Sequence, residues 1–280
     1  MSSEIHMNTS SFGKLSEEAD SLVIQVSGYS IDFCELSHEE NKPLYTVHYD
    51  SGKAPSLPVN EHLLSAVKHF QFSKKTYRFV YVNYFTDRFT LCPAAFYDAE
   101  HARAMLEFNT GTIEENLVLN DDVTPDIKLI YAIDEKLKSA LDLIFPHHRI
   151  KHSLSVLTQL MLHSEDLSKE QLLLYVHAEH IEIIVKEDTR LLLANQFSVK
   201  TQEDVLYYVL FILEQYQLNP VTVSMCVAGN INSNSDLMLT LKKYIRNIHL
   251  GIGHKSINWQ GVEGMPQHFN YSLLNRSFCE

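Results

Sequence analysis

The chain has 280 residues, of which 45% are hydrophobic and 21% charged, a composition typical of a globular protein. Its 35 acidic and 23 basic residues give a formal charge of −12. This charge disfavours binding to nucleic acids and insertion at anionic membranes, because both need clustered lysine and arginine. A length prior of about 150 residues per domain predicts two domains.

The N-terminal segment and the cysteines together predict a cytoplasmic protein. Residues 1–20 are polar and lack the basic start and apolar run of a secretory signal, so we expect a flexible tail. The most apolar stretch, 205–213, is far shorter than the roughly 20 residues that cross a bilayer. The four cysteines are scattered without CxxC spacing, which favours packed, reduced thiols.

Strand-like segments follow the tail in close succession. Apolar patterning predicts strands at 22–26, 31–36 and 44–49, separated by turn-forming residues. A helix beginning near Asn60 and a fourth strand at 78–82 complete the series. The first half therefore has the predicted order strand, strand, strand, helix, strand.

The second half repeats this order at an offset of about 150 residues. Strands are predicted at 172–176, 181–185 and 190–195. A capping box of Thr201 with Asp204 begins the helix that follows, and an extended run from Pro220 supplies the fourth strand. Because order and turn positions recur while side chains do not, the pattern predicts a duplicated domain.

The segment between the halves is predicted to be mostly helical. A strand at 127–133 precedes helices at 134–145 and 153–162, and 164–170 is the expected domain boundary. A last helix is predicted from about 236 to 249. The predicted division has four segments: a flexible tail at 1–20, a first lobe with its helical bridge at 21–165, a second lobe at 166–250, and a C-terminal tail packing on the lobes at 251–280.

Short motifs add a resemblance to a known fold. They are Thr90-Leu91-Cys92-Pro93 with Phe96-Tyr97, and Asn195-Gln196-Phe197 with Thr201, Glu203-Asp204 and Tyr207-Tyr208. With the repeated strand order, the chain resembles an uncharacterised bacterial family with an actin-like ATPase fold. It is similar in style to actin, Hsp70 and the actin-like proteins of pilus assembly and cell division. The resemblance covers residues 21 to about 250 and implies an α/β protein of two ribonuclease-H-like, mixed-sheet lobes with flanking helices.

The resemblance also implies an ATP site between the lobes. In that superfamily an acidic residue ends the first strand of each lobe and positions Mg²⁺, and a glycine-rich turn presents backbone amides to the phosphates. In the first hairpin, Gln25 stands at the acidic position. Ser27, Gly28 and Ser30 supply the candidate phosphate donors.

The second hairpin departs further from that pattern. His177 stands at the acidic position, no glycine follows it, and Glu179 and His180 occupy the turn. Gly229 and Asn230, after the fourth strand, resemble the adenosine-contacting loop. Since both metal-positioning carboxylates are absent, we predict no ATP hydrolysis of the usual kind and only weak ATP binding through the glycines.

Two functions of different classes stay open at this point. The first is a non-catalytic scaffold whose protein partner the sequence does not identify, with self-association into a homo-oligomer as a further option. The second is an ATP-dependent enzyme in which His177, Glu179 and His180 replace the customary acids. A metal-dependent nuclease is disfavoured because the first strand carries no acidic residue.

Two other polar clusters are not predicted to form functional sites. His177 and His180 would converge only if the turn folded them together, so no metal site is predicted. Asp121 and Asp122, with Asp126, are expected in a solvated loop.

Overall fold

The fold is taken from a computed structural model, and the residues described are 8–13, 15, 17–27, 30–50, 58–114, 116–163, 167, 171–251, 257–260, 262, 267–269, 271–276 and 279. The chain divides into two compact units. The first comprises Met1–Val156 with Ser256–Met265, and the second comprises Leu157–Lys255 with Pro266–Glu280. Each unit is considered separately below.

The first unit contains nine strands and three helices among its described residues. In chain order they are β1 (Asn8–Gly13), β2 (Ser21–Val26), β3 (Ser30–Ser37), β4 (Lys42–Asp50), α1 (Val59–His69), β5 (Phe79–Tyr84), β6 (Phe89–Pro93), α2 (Ala102–Thr110), β7 (Asn116–Thr124), β8 (Ile127–Asp134), α3 (Glu135–Ile144) and β9 (Arg149–His152). Helix α4 (Ser153–His163) follows, and the two units divide within it. The predicted boundary at 164–170 lies outside the described residues except for Leu167.

The second unit continues with five strands and three helices in its described part. They are β10 (Leu172–Val176), β11 (His180–Glu187), β12 (Arg190–Ser198), α5 (Gln202–Gln215), β13 (Ser224–Gly229), α6 (Asp236–Tyr244), β14 (Asn247–Leu250) and α7 (Tyr271–Asn275). The predicted capping box is present at the start of α5, where Thr201 and Asp204 bond each other's backbone amides.

The two units share one sheet topology, which confirms the predicted duplication. The first sheet has the order β1-β4-β3-β2-β5-β9 and the second has β12-β11-β10-β13-β14. In both, three antiparallel strands are followed by two parallel ones. Apart from β1, the strands correspond one to one, so the mixed α/β architecture is that of two repeated units.

One face of each sheet forms a core with the helices of its unit. Leu22 and Ile24 of β2 belong to a cluster with Leu63 of α1 and Leu137 of α3, and all four are fully buried. Strands β10, β11 and β13 form the equivalent cluster with α5 and α6. Alternation along each strand sends the intervening side chains to the opposite face, where the candidate polar residues lie.

The predicted bridge agrees with the structure, where a strand (β8) is followed by helices α3 and α4. The stretch before it, 83–126, for which no strand or helix was predicted, adds β6 and β7, which pair with β8 in a second, antiparallel sheet of order β6-β8-β7. Helix α2 covers this sheet through Leu106, which is fully buried. Asp121 lies in strand β7 and is 6% exposed, so the predicted solvated loop is wrong there. Its carboxylate accepts a 2.7 Å hydrogen bond from the backbone of His152, which accounts for its burial.

Two further boundaries differ from the prediction. The last predicted helix ends at Tyr244, and 247–250 instead pair in parallel with β13 as β14. Residues 8–13, within the predicted tail, pair antiparallel with β4 as β1. In both cases the decisive interaction is with a distant strand, which local apolar spacing does not report.

Candidate functional site

The first candidate region is the hairpin between β2 and β3. The backbone N–H of Ser27 donates to the carbonyl of Ser30 at 2.9 Å, and the amide of Ser30 donates to the Ser27 hydroxyl at 3.2 Å. The two hydroxyl oxygens are 2.8 Å apart. Gly28 lies outside the described residues. The two serines therefore bond each other, and their amide donors are already used.

Gln25 is buried, and its amide reaches Asp32 on the neighbouring strand at 3.5 Å. Asp32 lies opposite both Gln25 and His48 in the sheet register, and the His48 Nδ1 is 2.5 Å from its carboxylate. A carboxylate thus lies beside the predicted position, on the second strand. The sequence could have predicted this pairing. A turn at 27–30 leaves Gln25 two residues before it and Asp32 two residues after it, so the two residues lie opposite each other in the hairpin.

The second hairpin, between β10 and β11, repeats the first at an offset of 150. The N–H of His177 donates to the carbonyl of His180 at 2.9 Å, as Ser27 does to Ser30. The turn brings the two imidazole rings together, stacked with centroids 3.9 Å apart. Glu179 is exposed, and its carbonyl accepts a hydrogen bond from the backbone of Val199.

A buried carboxylate also lies beside this hairpin. Glu182 is fully buried, and its Oε2 is 2.8 Å from Nε2 of His177. It corresponds to Asp32 of the first unit at the 150-residue offset. The His177 ring also packs against Tyr175 at 4.8 Å, and the Tyr175 hydroxyl is 3.0 Å from that of Ser272 on α7. Sequence reasoning missed Glu182 because its role depends on the hairpin register.

Gly229 and Asn230 form the third candidate element. Gly229 has a φ of +88°, and a Cβ built there would lie 2.2 Å from the carbonyl oxygen of Val176. Its N–H donates to the carbonyl of His268 at 2.7 Å, while that of Asn230 donates to Val176 at 2.6 Å. Glycine is thus required by close approach to the chain's own backbone.

His152 is the last residue of β9 and directly precedes α4. It is fully buried, and its Nδ1 accepts the amide of Leu154 at 3.0 Å. Its Nε2 is 3.0 Å from the carbonyl of Thr86, so both ring nitrogens have backbone partners. This histidine is positioned to begin α4 and connect it to the rest of the unit.

Five of the backbone amides described at these elements already have hydrogen-bond acceptors within the chain. A phosphate needs several amide donors directed at one point, but those of Ser27, Ser30, His177, Gly229 and Asn230 all bond within the chain. The exposed carboxylate of Glu179 would repel a phosphate. Within the part of the chain that the structure describes, no three His, Cys, Asp or Glu side chains are grouped to hold a metal ion.

Burial also affects the cysteines and His268. All four cysteines are buried and free of disulfides, and burial raises the pKa of the Cys34 thiol. Burial also lowers the pKa of His268, against an opposing hydrogen bond with the backbone of Ile231. No helix in the described ranges is long and apolar enough to cross a membrane.

The repeated mixed-sheet units define an actin-like ATPase fold, and solved structures agree. A Bacteroides thetaiotaomicron VPI-5482 protein with actin-like ATPase fold and unknown function has 21% identity and a TM-score of 0.74, covering 92% of this chain and 96% of its own. The ethanolamine utilization protein EutJ of Carboxydothermus hydrogenoformans has 7% identity and a TM-score of 0.55, with 96% and 92% covered. The PilM-PilN type IV pilus biogenesis complex has 13% identity and a TM-score of 0.52, with 92% of this chain and 94% of that chain covered.

The sequence itself places the chain in one family. Residues 9–248 match the model of the family described as protein of unknown function (DUF3822), and the chain belongs to that family. A comparison with curated protein sequences gives no match.

Proposed function

We propose that this protein is a non-catalytic interaction protein built on an actin-like ATPase fold. The observation that carries the proposal is the internal use of the backbone amides of Ser27, Ser30, His177, Gly229 and Asn230. Transition-state stabilisation of phosphoryl transfer depends on such donors and on metal-positioning carboxylates. Here the nearby carboxylates, Asp32 and Glu182, are each bonded to a histidine.

The fold is compatible with such a role. One of the similar solved structures is a complex of two proteins, PilM and PilN. A fold of this kind thus occurs in a protein assembly, although fold alone never assigns an activity. We therefore expect the function of this chain to depend on a protein partner, with a second copy of the chain as the alternative partner.

The alternative function is ATP binding or hydrolysis by non-standard residues, and magnesium-ATP tests it directly. Thermal melting of the full chain is measured with rising magnesium-ATP, and with magnesium chloride at matched ionic strength as the control. We expect equal melting temperatures in the two series and no phosphate release above background. Stabilisation that rises with ATP concentration would indicate binding by mass action and would contradict the proposal.

Variants distinguish ATP turnover at a site of this chain from turnover by a contaminating ATPase. Gln25→Ala and His177→Ala alter the two positions that the sequence resemblance assigns to the superfamily's acids, and Glu214→Ala on the exposed side of α5 is the control. ATP turnover that persists in the control and disappears in Gln25→Ala or His177→Ala would establish an enzyme. Turnover that is absent from the purified wild-type chain supports the interaction role.

A further inference from the structure

A groove of about 400 Å³ lies on the inserted three-stranded sheet, between β6 and α2. Residues 90–93 of β6 form one wall, and Ala104, Met105, Phe108 and Asn109 of α2 form the other. None of these residues carries a charge. Phe108 is 90% exposed, so a whole aromatic ring faces water at the groove. The Thr90-Leu91-Cys92-Pro93 motif thus lines a surface unrelated to the two hairpins.

The β6 wall is also an open sheet edge. In the order β6-β8-β7, β6 is a terminal strand. Ala132 donates to the carbonyl of Arg88 at 2.9 Å, and Ala94 donates to that of Asp126 at 2.8 Å. Since bonded positions alternate in an antiparallel pair, the even-numbered residues face β8. The N–H and C=O groups of Phe89 and Leu91 then point away from the sheet, where an added strand could bond them.

The charged side chains beyond the two ends of β6 indicate the charge of the bound segment. Before β6, the exposed Asp87 is 3.9 Å from Arg88, so this end carries both charges. After the following turn, Asp98 and Glu100 are both exposed, and His101 is 2.7 Å from Asp98. The whole chain has a charge of −12. An uncharged groove with two carboxylates beyond one end is complementary to an apolar segment with a basic residue at the matching end.

We propose that the groove between β6 and α2 binds an extended segment of a partner protein by strand addition. The segment carries apolar side chains at alternate positions, which cover Phe108 and Met105, and lysine or arginine at the end nearest Asp98 and Glu100. Backbone bonds to Phe89 and Leu91 supply the affinity, and the apolar groove selects the side chains. This inference rests on the interaction role proposed above and names its partner class.

A random library of displayed nine-residue peptides tests the inference with the full-length chain as bait. We expect the selected peptides to share alternating apolar residues and a basic residue at one end. Their affinity, measured by fluorescence anisotropy, should fall at least tenfold for Phe108→Ser. Phe96→Ser is the matched control, since Phe96 is 73% exposed but does not line the groove. N-methylation of alternate peptide amides should abolish binding, because it removes the donors that pair with β6.

Several results would overturn the inference. They are an absence of enriched peptides, equal binding to Phe108→Ser and wild type, or full binding by the N-methylated peptides. A dimer in sedimentation that Phe108→Ser converts to a monomer would assign the groove to a second copy instead. None of these results involves ATP, so failure here leaves the non-catalytic role standing, and ATP turnover would refute that role separately.

Discussion

Nε2 of His177 lies 2.8 Å from Oε2 of Glu182, at the start of the second unit's sheet. Glu182 is fully buried and the His177 side chain is 11% exposed. In the first unit the carboxylate at the same position, Asp32, is bonded instead to His48 of β4, and this pair is closer to solvent, with side chains 16% and 44% exposed. Both units therefore keep a carboxylate at the same position, bonded to a histidine, and only the second unit encloses the pair.

Replacing Glu182 by alanine should destabilise the fold by about 3 kcal/mol. The change removes a buried side chain and takes away the hydrogen-bond acceptor of an enclosed imidazole. Chemical denaturation followed by circular dichroism measures the effect. Glu179→Ala, at an exposed turn position of the same hairpin, is the control and should stay within about 0.5 kcal/mol of wild type. Equal midpoints for the two variants would show that the buried pair does not contribute to stability.

Two glycines with positive φ allow a matched test of close backbone approach. Gly111 has a φ of +79° and its nearest neighbour to an added Cβ is 3.7 Å away, whereas at Gly229 the Val176 oxygen would be at 2.2 Å. Gly111→Ala should cost about 1–3 kcal/mol from backbone strain alone. Gly229→Ala adds a clash with a carbonyl and should cost more than about 4 kcal/mol, with a lower soluble yield. Similar melting temperatures would mean that Val176 moves aside easily.

Tyr84 should make stability fall above pH 10. Burial raises its pKa to about 12, with the Asp134 and Asp87 carboxylates acting in the same direction and a hydrogen bond with the Asp134 backbone opposing them. Below pH 10 the hydroxyl is protonated in the folded and unfolded chains alike. Between pH 10 and 12 only the unfolded chain loses this proton, so the group's contribution, about 2–3 kcal/mol, is lost as pH rises.

The measurement is unfolding free energy against pH from 8 to 12, for wild type and Tyr84→Phe. The variant should show a shallower decline over this window. Tyr207→Phe, which removes a hydroxyl from a side chain that is 61% exposed, is the control. Parallel curves for wild type and Tyr84→Phe would contradict the prediction.

Much of each sheet was predictable because its signals are local. The strand at 172–176 and the capping box at Thr201 follow from residues close together in the sequence, and both appear in the structure as expected. Of the inserted sheet, only the central strand was predicted, at 127–133. Apolar and polar residues alternate only weakly along strand β7, which contains Asn120, Asp121 and Asp122. This segment forms a strand because it pairs with β8.

The candidate site divides in the same manner. The sequence by itself determined the repeated strand order, because that order depends on residue identity and spacing along the chain. The assignment of Gln25 and His177 to the superfamily's acidic positions stays a prediction. Only the tertiary structure decided that Glu182 is buried against His177 and that the Gly229 amide is used by His268. Those facts depend on strand register and on contacts between distant segments, which burial and hydrogen-bond geometry select only once the chain has folded.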